Sequence, residues 1–158
     1  MDMTGEHRIA APREVVWQAL NDEDVLRACI PGCEELEKTS DTELHAVVVQ
    51  KIGPVKARFE GDVELANINA PESYTIRGEG SGGVAGFAKG GADVTLAEEG
   101  EETLLTYVVH ATVGGKLARL GSRLIDSTAR KLAGKFFDNF STHLNPQEEL
   151  AAEVSAAE

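Results

Sequence analysis

Two cysteines, Cys29 and Cys33, bracket a Cys-Ile-Pro-Gly-Cys turn. A nucleophilic or redox thiol needs a positive, partly exposed setting that favours the thiolate. Glu34 and Glu35 follow directly and carry the opposite charge, so the pair reads as reduced thiols that stabilise a turn. His7, His45, His110 and His143 are scattered, with no His-Glu-x-x-His and no second cysteine pair; no metal site is expected. Gly78-Glu79-Gly80-Ser81-Gly82-Gly83 satisfies Gly-x-Gly-x-x-Gly. That motif cradles a pyrophosphate only where it leaves a strand and opens a helix. Strand-like segments flank it here on both sides, so the expectation is a flexible hairpin or a mobile lip over a cavity mouth. There is no nucleophile elbow and no paired acid and base in an apolar setting, so no catalytic residue is assigned. Were the chain an enzyme, Tyr107 or His110 would be the acid/base group, though strand alternation puts them on opposite faces. Trp17 reads as core, and Tyr107 as core or as a hydrogen-bond donor to a ligand carbonyl.

The charges are unevenly spread. The 158 residues carry 27 acids against 15 bases, a formal charge of −12, which disfavours nucleic-acid binding. Six of the bases, Lys116, Arg119, Arg123, Arg130, Lys131 and Lys135, nevertheless fall in one segment whose single acid is Asp126. Lys116, Arg119, Arg123 and Arg130 lie on one side at helical spacing, either as a solvated face or as a docking surface for an acidic partner or phosphate headgroups. No stretch approaches the roughly 20 apolar residues of a membrane span, and residues 1–20 lack a secretory signal. A cytoplasmic protein is expected.

Several elements must position these groups. Thr4–Ile9 is a short first strand, and Pro12 opens a helix to Leu20 with apolar Val15, Val16, Ala19 and Leu20. A second short helix runs from Asp22 to Cys29, capped by Asn21 or Asp22, and Pro31-Gly32 ends it. From residue 34 to 113 the pattern is β. Val55–Leu65 alternates cleanly, and Glu43–Ile52, Tyr74–Gly80, Val84–Leu96 and Thr103–Val113 are further strands joined by short turns, an antiparallel meander. Between residues 78 and 91 glycines crowd the strands, at a cost of about 0.5–1 kcal/mol each relative to Ala. Sharp sheet curvature or a ligand close to the backbone would each explain them. Phe87 sits in their midst.

Lys116 to Leu144 reads as one helix of about 29 residues, roughly 43 Å. Its first apolar stripe is Leu117, Leu120, Leu124, Thr128 and Leu132; beyond Gly134 the set becomes Phe136, Phe137, Phe140 and Leu144. A bend near Gly134, or a change of packing partner, is predicted. Residues 1–144 form one α+β domain, and the acidic segment 145–158 is expected to be a solvated, disordered tail. A curved antiparallel sheet of about seven strands wrapped around a long helix leaves an elongated apolar gap, because neither surface is flat. Phe59, Phe87, Tyr107, Leu117, Leu120 and Leu124 are the candidate ligand-binding residues.

That order of elements resembles the START-like (SRPBCC), or helix-grip, superfamily. Within it, Ala11-Pro12-x-x-Val15-x-Trp17, Cys29-Ile30-Pro31-Gly32-Cys33, Ile52-Gly53-Pro54-Val55, Gly86-x-Ala88-Lys89-Gly90 and Val113-Gly114-Gly115-Lys116-Leu117-Ala118-x-Leu120-Gly121 are similar to the CoxG family of carbon monoxide dehydrogenase subunits over residues 3–144. The resemblance implies an accessory protein of a molybdenum carbon monoxide dehydrogenase-type system. Such a protein would bind a quinone or lipid and act in enzyme recruitment or ligand delivery. No cofactor is expected beyond that bound molecule; the partners would be a hydrophobic small molecule and molybdenum hydroxylase-type subunits. The acidic tail is repelled by anionic lipid, so peripheral association at the inner face of the membrane is the most this chain is expected to show. The alternatives are a cyclase- or hydrolase-like helix-grip enzyme and a pure interaction adaptor whose cavity side chains fill.

Overall fold

The computed structural model describes residues 1–145 of the chain; the expected tail lies outside the described residues from 146 onward. In chain order the elements are β1 (Asp2–Ile9), α1 (Arg13–Leu20), α2 (Glu23–Cys29), β2 (Cys33–Lys38), β3 (Glu43–Ile52), β4 (Val55–Asn69), β5 (Ser73–Ser81), β6 (Phe87–Glu99), β7 (Glu102–Gly114) and α3 (Ser122–Leu144). Short 3₁₀ turns occupy Gly83–Ala85 and Leu117–Leu120. The strands form one antiparallel sheet in the order β1-β7-β6-β5-β4-β3-β2. This is the seven-stranded helix-grip architecture expected from the meander.

Local chemistry explains the helix ends. Asp22 caps α2, its carboxylate accepting from Asp24 N at 2.8 Å and Val25 N at 3.3 Å. Asn21 instead closes α1, its side-chain amide donating to the Trp17 carbonyl at 2.8 Å. The edge strand β2 is covered by α2. Arg27 Nη2 donates to the Leu36 carbonyl at 2.6 Å, and Glu23 Oε2 accepts the Lys38 N–H at 2.8 Å. These side chains satisfy backbone groups that an open sheet edge would otherwise expose.

Curvature accounts for the glycines at the tightest positions. A Cβ on Gly61 would run into the Glu79 carbonyl, and one on Gly90 into the His110 carbonyl. Adjacent strands therefore approach more closely there than any side chain permits.

The last helix is shorter than its pattern implies. Gly115 (φ +73°) and Gly121 (φ +89°) adopt backbone conformations that no α-helix contains. Residues 116–120 are consequently a separate turn, and α3 starts at Ser122 with 23 residues. It runs unbroken through Gly134. Its two apolar stripes meet different partners: Leu124 lies against the β3–β4 turn at Gly53, whereas Phe140 is completely buried with Ile9, Val16, Leu20, Leu96 and Leu105. The Thr103 hydroxyl, also fully buried, donates to the Ala11 carbonyl at 2.8 Å and ties β7 to the start of α1.

Candidate functional site

Between the inner face of the sheet and the C-terminal half of α3 lies a cavity of about 430 Å³. Strand alternation builds its floor from Leu44, Val63, Ile76, Ala92, Val94 and Val109, and Ala133, Phe136 and Phe137 of α3 form its roof. Leu20, Leu26 and Ile30 of the short helices close one side. That side is fixed by Asn139, whose amide donates to the Cys29 carbonyl at 3.0 Å and ties α3 to α2.

The opposite side, between β1 and α3, is shut by aromatic rings. His7 stacks on Phe137 with centroids 4.0 Å apart and planes 20° from parallel, and Tyr107 stacks on Phe137 at 5.9 Å. Gly5 faces Tyr107 across the ladder, and a Cβ there would collide with the phenol. Burial lowers the His7 pKa, partly countered by Asp138, so the ring is held in its neutral, stackable form. On the other wall Tyr74 makes an edge contact with Trp17 at 5.2 Å. Burial alone pushes the Tyr74 hydroxyl far above its ordinary value.

Only some of the expected ligand-binding residues meet at this cavity. Tyr107 lines it. Phe59 shares the inward face, opposite Val48, but its ring lies farther along, against Gly82. Leu117, Leu120 and Leu124 gather at the other end: Leu117 is buried, and Leu120 and Leu124 sit beside Gly53. Phe87 faces outward, 41% exposed, with its ring covering Gly114. It has odd parity in a strand whose cavity residues, Ala92 and Val94, are even. The residues that do contribute from α3, Ala133, Phe136 and Phe137, belong to the second apolar stripe, which stands in the sequence at helical spacing. Asn21 and Lys38 also line the cavity, and no signal in the sequence marks them.

The other singled-out groups sit elsewhere. Burial raises the pKa of both Cys29 and Cys33; for Cys33, Arg27 and the Glu35 backbone offset only part of it. Both thiols are thus kept protonated, the opposite of what reactivity needs. His110 pairs with Asp2 at 2.8 Å on the outer face, away from Tyr107. The 3₁₀ turn after Gly82 packs Gly86 against Gly114 and Gly115, leaving Val84 84% exposed at its tip, and it does not line the cavity. Lys116, Arg119, Arg123 and Arg130 are exposed and make no ion pair among the described residues. Gly121 splits them between the turn and α3, so they do not form one helical stripe. A larger open trough of about 1010 Å³ crosses the outer face, but Glu60, Asp62, Arg77, Glu79 and Lys89 line it. Specific small-molecule sites are mainly apolar and enclosed, which favours the inner cavity.

Comparison with known proteins agrees with this geometry. A conserved protein from Geobacillus kaustophilus superimposes with a TM-score of 0.87 at 30% identity, covering 92% of this chain and 96% of that one. A START superfamily protein from Mycobacterium smegmatis matches with a TM-score of 0.63 at 16% identity, covering 94% and 98%. A STAR-related lipid transfer protein from Xanthomonas axonopodis matches with a TM-score of 0.61 at 21% identity, covering 91% and 85%. A search of curated protein sequences returns no match. The model of the carbon monoxide dehydrogenase subunit family CoxG matches residues 5–145, and the chain belongs to that family.

Proposed function

We propose that this protein carries a lipophilic small molecule, a quinone or other lipid, in the grip cavity and serves a molybdenum carbon monoxide dehydrogenase-type enzyme by ligand delivery or recruitment. The carrying observation is the cavity itself: about 430 Å³, walled almost wholly by aliphatic and aromatic side chains, with the volume typical of sites for small organic ligands. Burying a lipophilic molecule there removes apolar surface from water at about 25 cal/mol per Å², a driving force that needs no catalytic group. Membership of the CoxG family and the likeness to a lipid transfer protein support the same reading.

Among the described residues no helix is long and apolar enough to cross a membrane. The exposed bases Lys116, Arg119, Arg123 and Arg130 are the proposed contact with the acidic surface of the partner enzyme at the cytoplasmic side. The test is native mass spectrometry of the gently purified chain, followed by organic extraction. A co-purifying quinone or lipid is expected; repeated recovery of empty protein that also refuses added quinone overturns the carrier role and favours a pure adaptor. Charge reversal at Arg119 and Arg123 should weaken partner docking while leaving ligand uptake unchanged.

A further inference from the structure

Lys38 is the one charged side chain among the residues that line the apolar cavity. Strand β2 reads Cys-Glu-Glu-Leu-Glu-Lys. Its pairing sets Leu36 opposite Ala46 and Lys38 opposite Leu44, so both point inward while Glu35 and Glu37 point out. An inward position beside Leu36 and Leu44 calls for an apolar residue, and a lysine there breaks the pattern that the rest of the inner face keeps. Departures of that kind concentrate at functional sites.

The surroundings hold Lys38 in place without neutralising it. Its backbone N–H is fixed by Glu23 Oε2 at 2.8 Å, so α2 sets the direction in which the side chain leaves the strand. The ammonium forms no ion pair among the described residues. A lysine stem lies along apolar surface while its head stays near water, which puts the positive charge at the rim and leaves the interior oily. The other polar lining groups, Asn21, Tyr74 and Tyr107, are uncharged.

We infer that the cavity selects an amphiphile with an anionic, carboxylate-type head, paired by Lys38 at the rim, while its hydrocarbon part lies against Phe136 and Phe137. This rests on the carrier reading above and narrows the class of ligand. Cis-parinaric acid and its methyl ester test it, because they share one fluorescent chain and differ in head charge. The wild-type chain should bind the acid about fivefold more tightly than the ester, the ratio that an ion pair near the surface supports. Lys38→Met should bring that ratio to about one with ester affinity unchanged, and Lys38→Glu should make the ester the better ligand. Equal binding of the two probes by the wild type, or a preference that survives Lys38→Met, overturns the role of Lys38 while bound ester leaves the carrier reading standing. Failure of both probes to bind overturns the carrier reading and this inference together.

Discussion

The two ends of the grip use the same sheet face to opposite effect. Near α1 the inward residues are sealed: Ile9, Leu96 and Leu105 are at most 2% exposed, and Phe140 of α3 fills the space among them. Farther along the same face, Val48, Val63, Ile76, Ala92 and Val109 point inward yet remain only partly buried. The alternation is identical in both regions, so the strands do not cause the difference. It comes from what stands opposite. One end meets a fully inserted phenylalanine and α1; the other meets Ala133 and two aromatic rings turned toward β1 and toward each other. A solid end supplies the stability that lets the other end stay hollow.

The largest effect should come from breaking the solid end. Phe140→Ala removes a completely buried ring that also stacks on Phe136 at 5.7 Å. A loss of about 3–5 kcal/mol is expected, by analogy with other large-to-small core changes. Urea denaturation followed by circular dichroism measures it, and a loss below about 1 kcal/mol would show that this end is not packed as described.

Filling the hollow should do the reverse: abolish uptake with little change in stability. Ala133→Trp places an indole in the roof of the cavity, where there is space to receive it. Overpacking a filled core costs about 1–3 kcal/mol, so a change in stability smaller than that range, together with loss of parinaric ester binding, identifies the site as empty space put to use. A variant that keeps its ligand would move the binding site out of the grip.

Much of this contrast is legible in the sequence, and the illegible part has identifiable causes. The clean alternation of Val55–Leu65 and the short turns after it specify a meander, and Pro12 and Asp22 mark helix starts through chemistry that acts within a few residues. The start of α3 is hidden because Leu117, Leu120 and Leu124 keep a helical period across Gly121, whose φ of +89° is a tertiary fact. The cavity residues are partly hidden for a related reason. The first leucine stripe and the later Phe136–Phe137 pair look equally apolar, and only the docking of α3 decides which of them covers a ligand. The size of Phe87 suggests an inward position; the register with Gly114 turns it outward. Lys38 carries no signal at all in a six-residue strand with a single buried leucine.

The smallest expected effect contrasts two histidines, one beside the cavity and one on the outer face. His7 is kept neutral by burial against Phe137, so its folded pKa lies below the ordinary value near 6.5. Its contribution is complete at neutral pH and fades as pH falls below that value, because the unfolded chain then takes up the proton more readily. His45 behaves oppositely. Its ring nitrogens lie 2.8 and 3.0 Å from Asp62 and Glu60, which raise its pKa and stabilise the protonated form, so its contribution is lost as pH rises above 6.5. Proton NMR titration of the two imidazoles should show His7 titrating below His45. His7→Phe should preserve the ring stack and remove the acid-side loss, while His45→Gln should leave the acid side unchanged. If His7 titrates like a free imidazole, the aromatic closure between β1 and α3 is open in solution, and the cavity has a second mouth along the β1 edge.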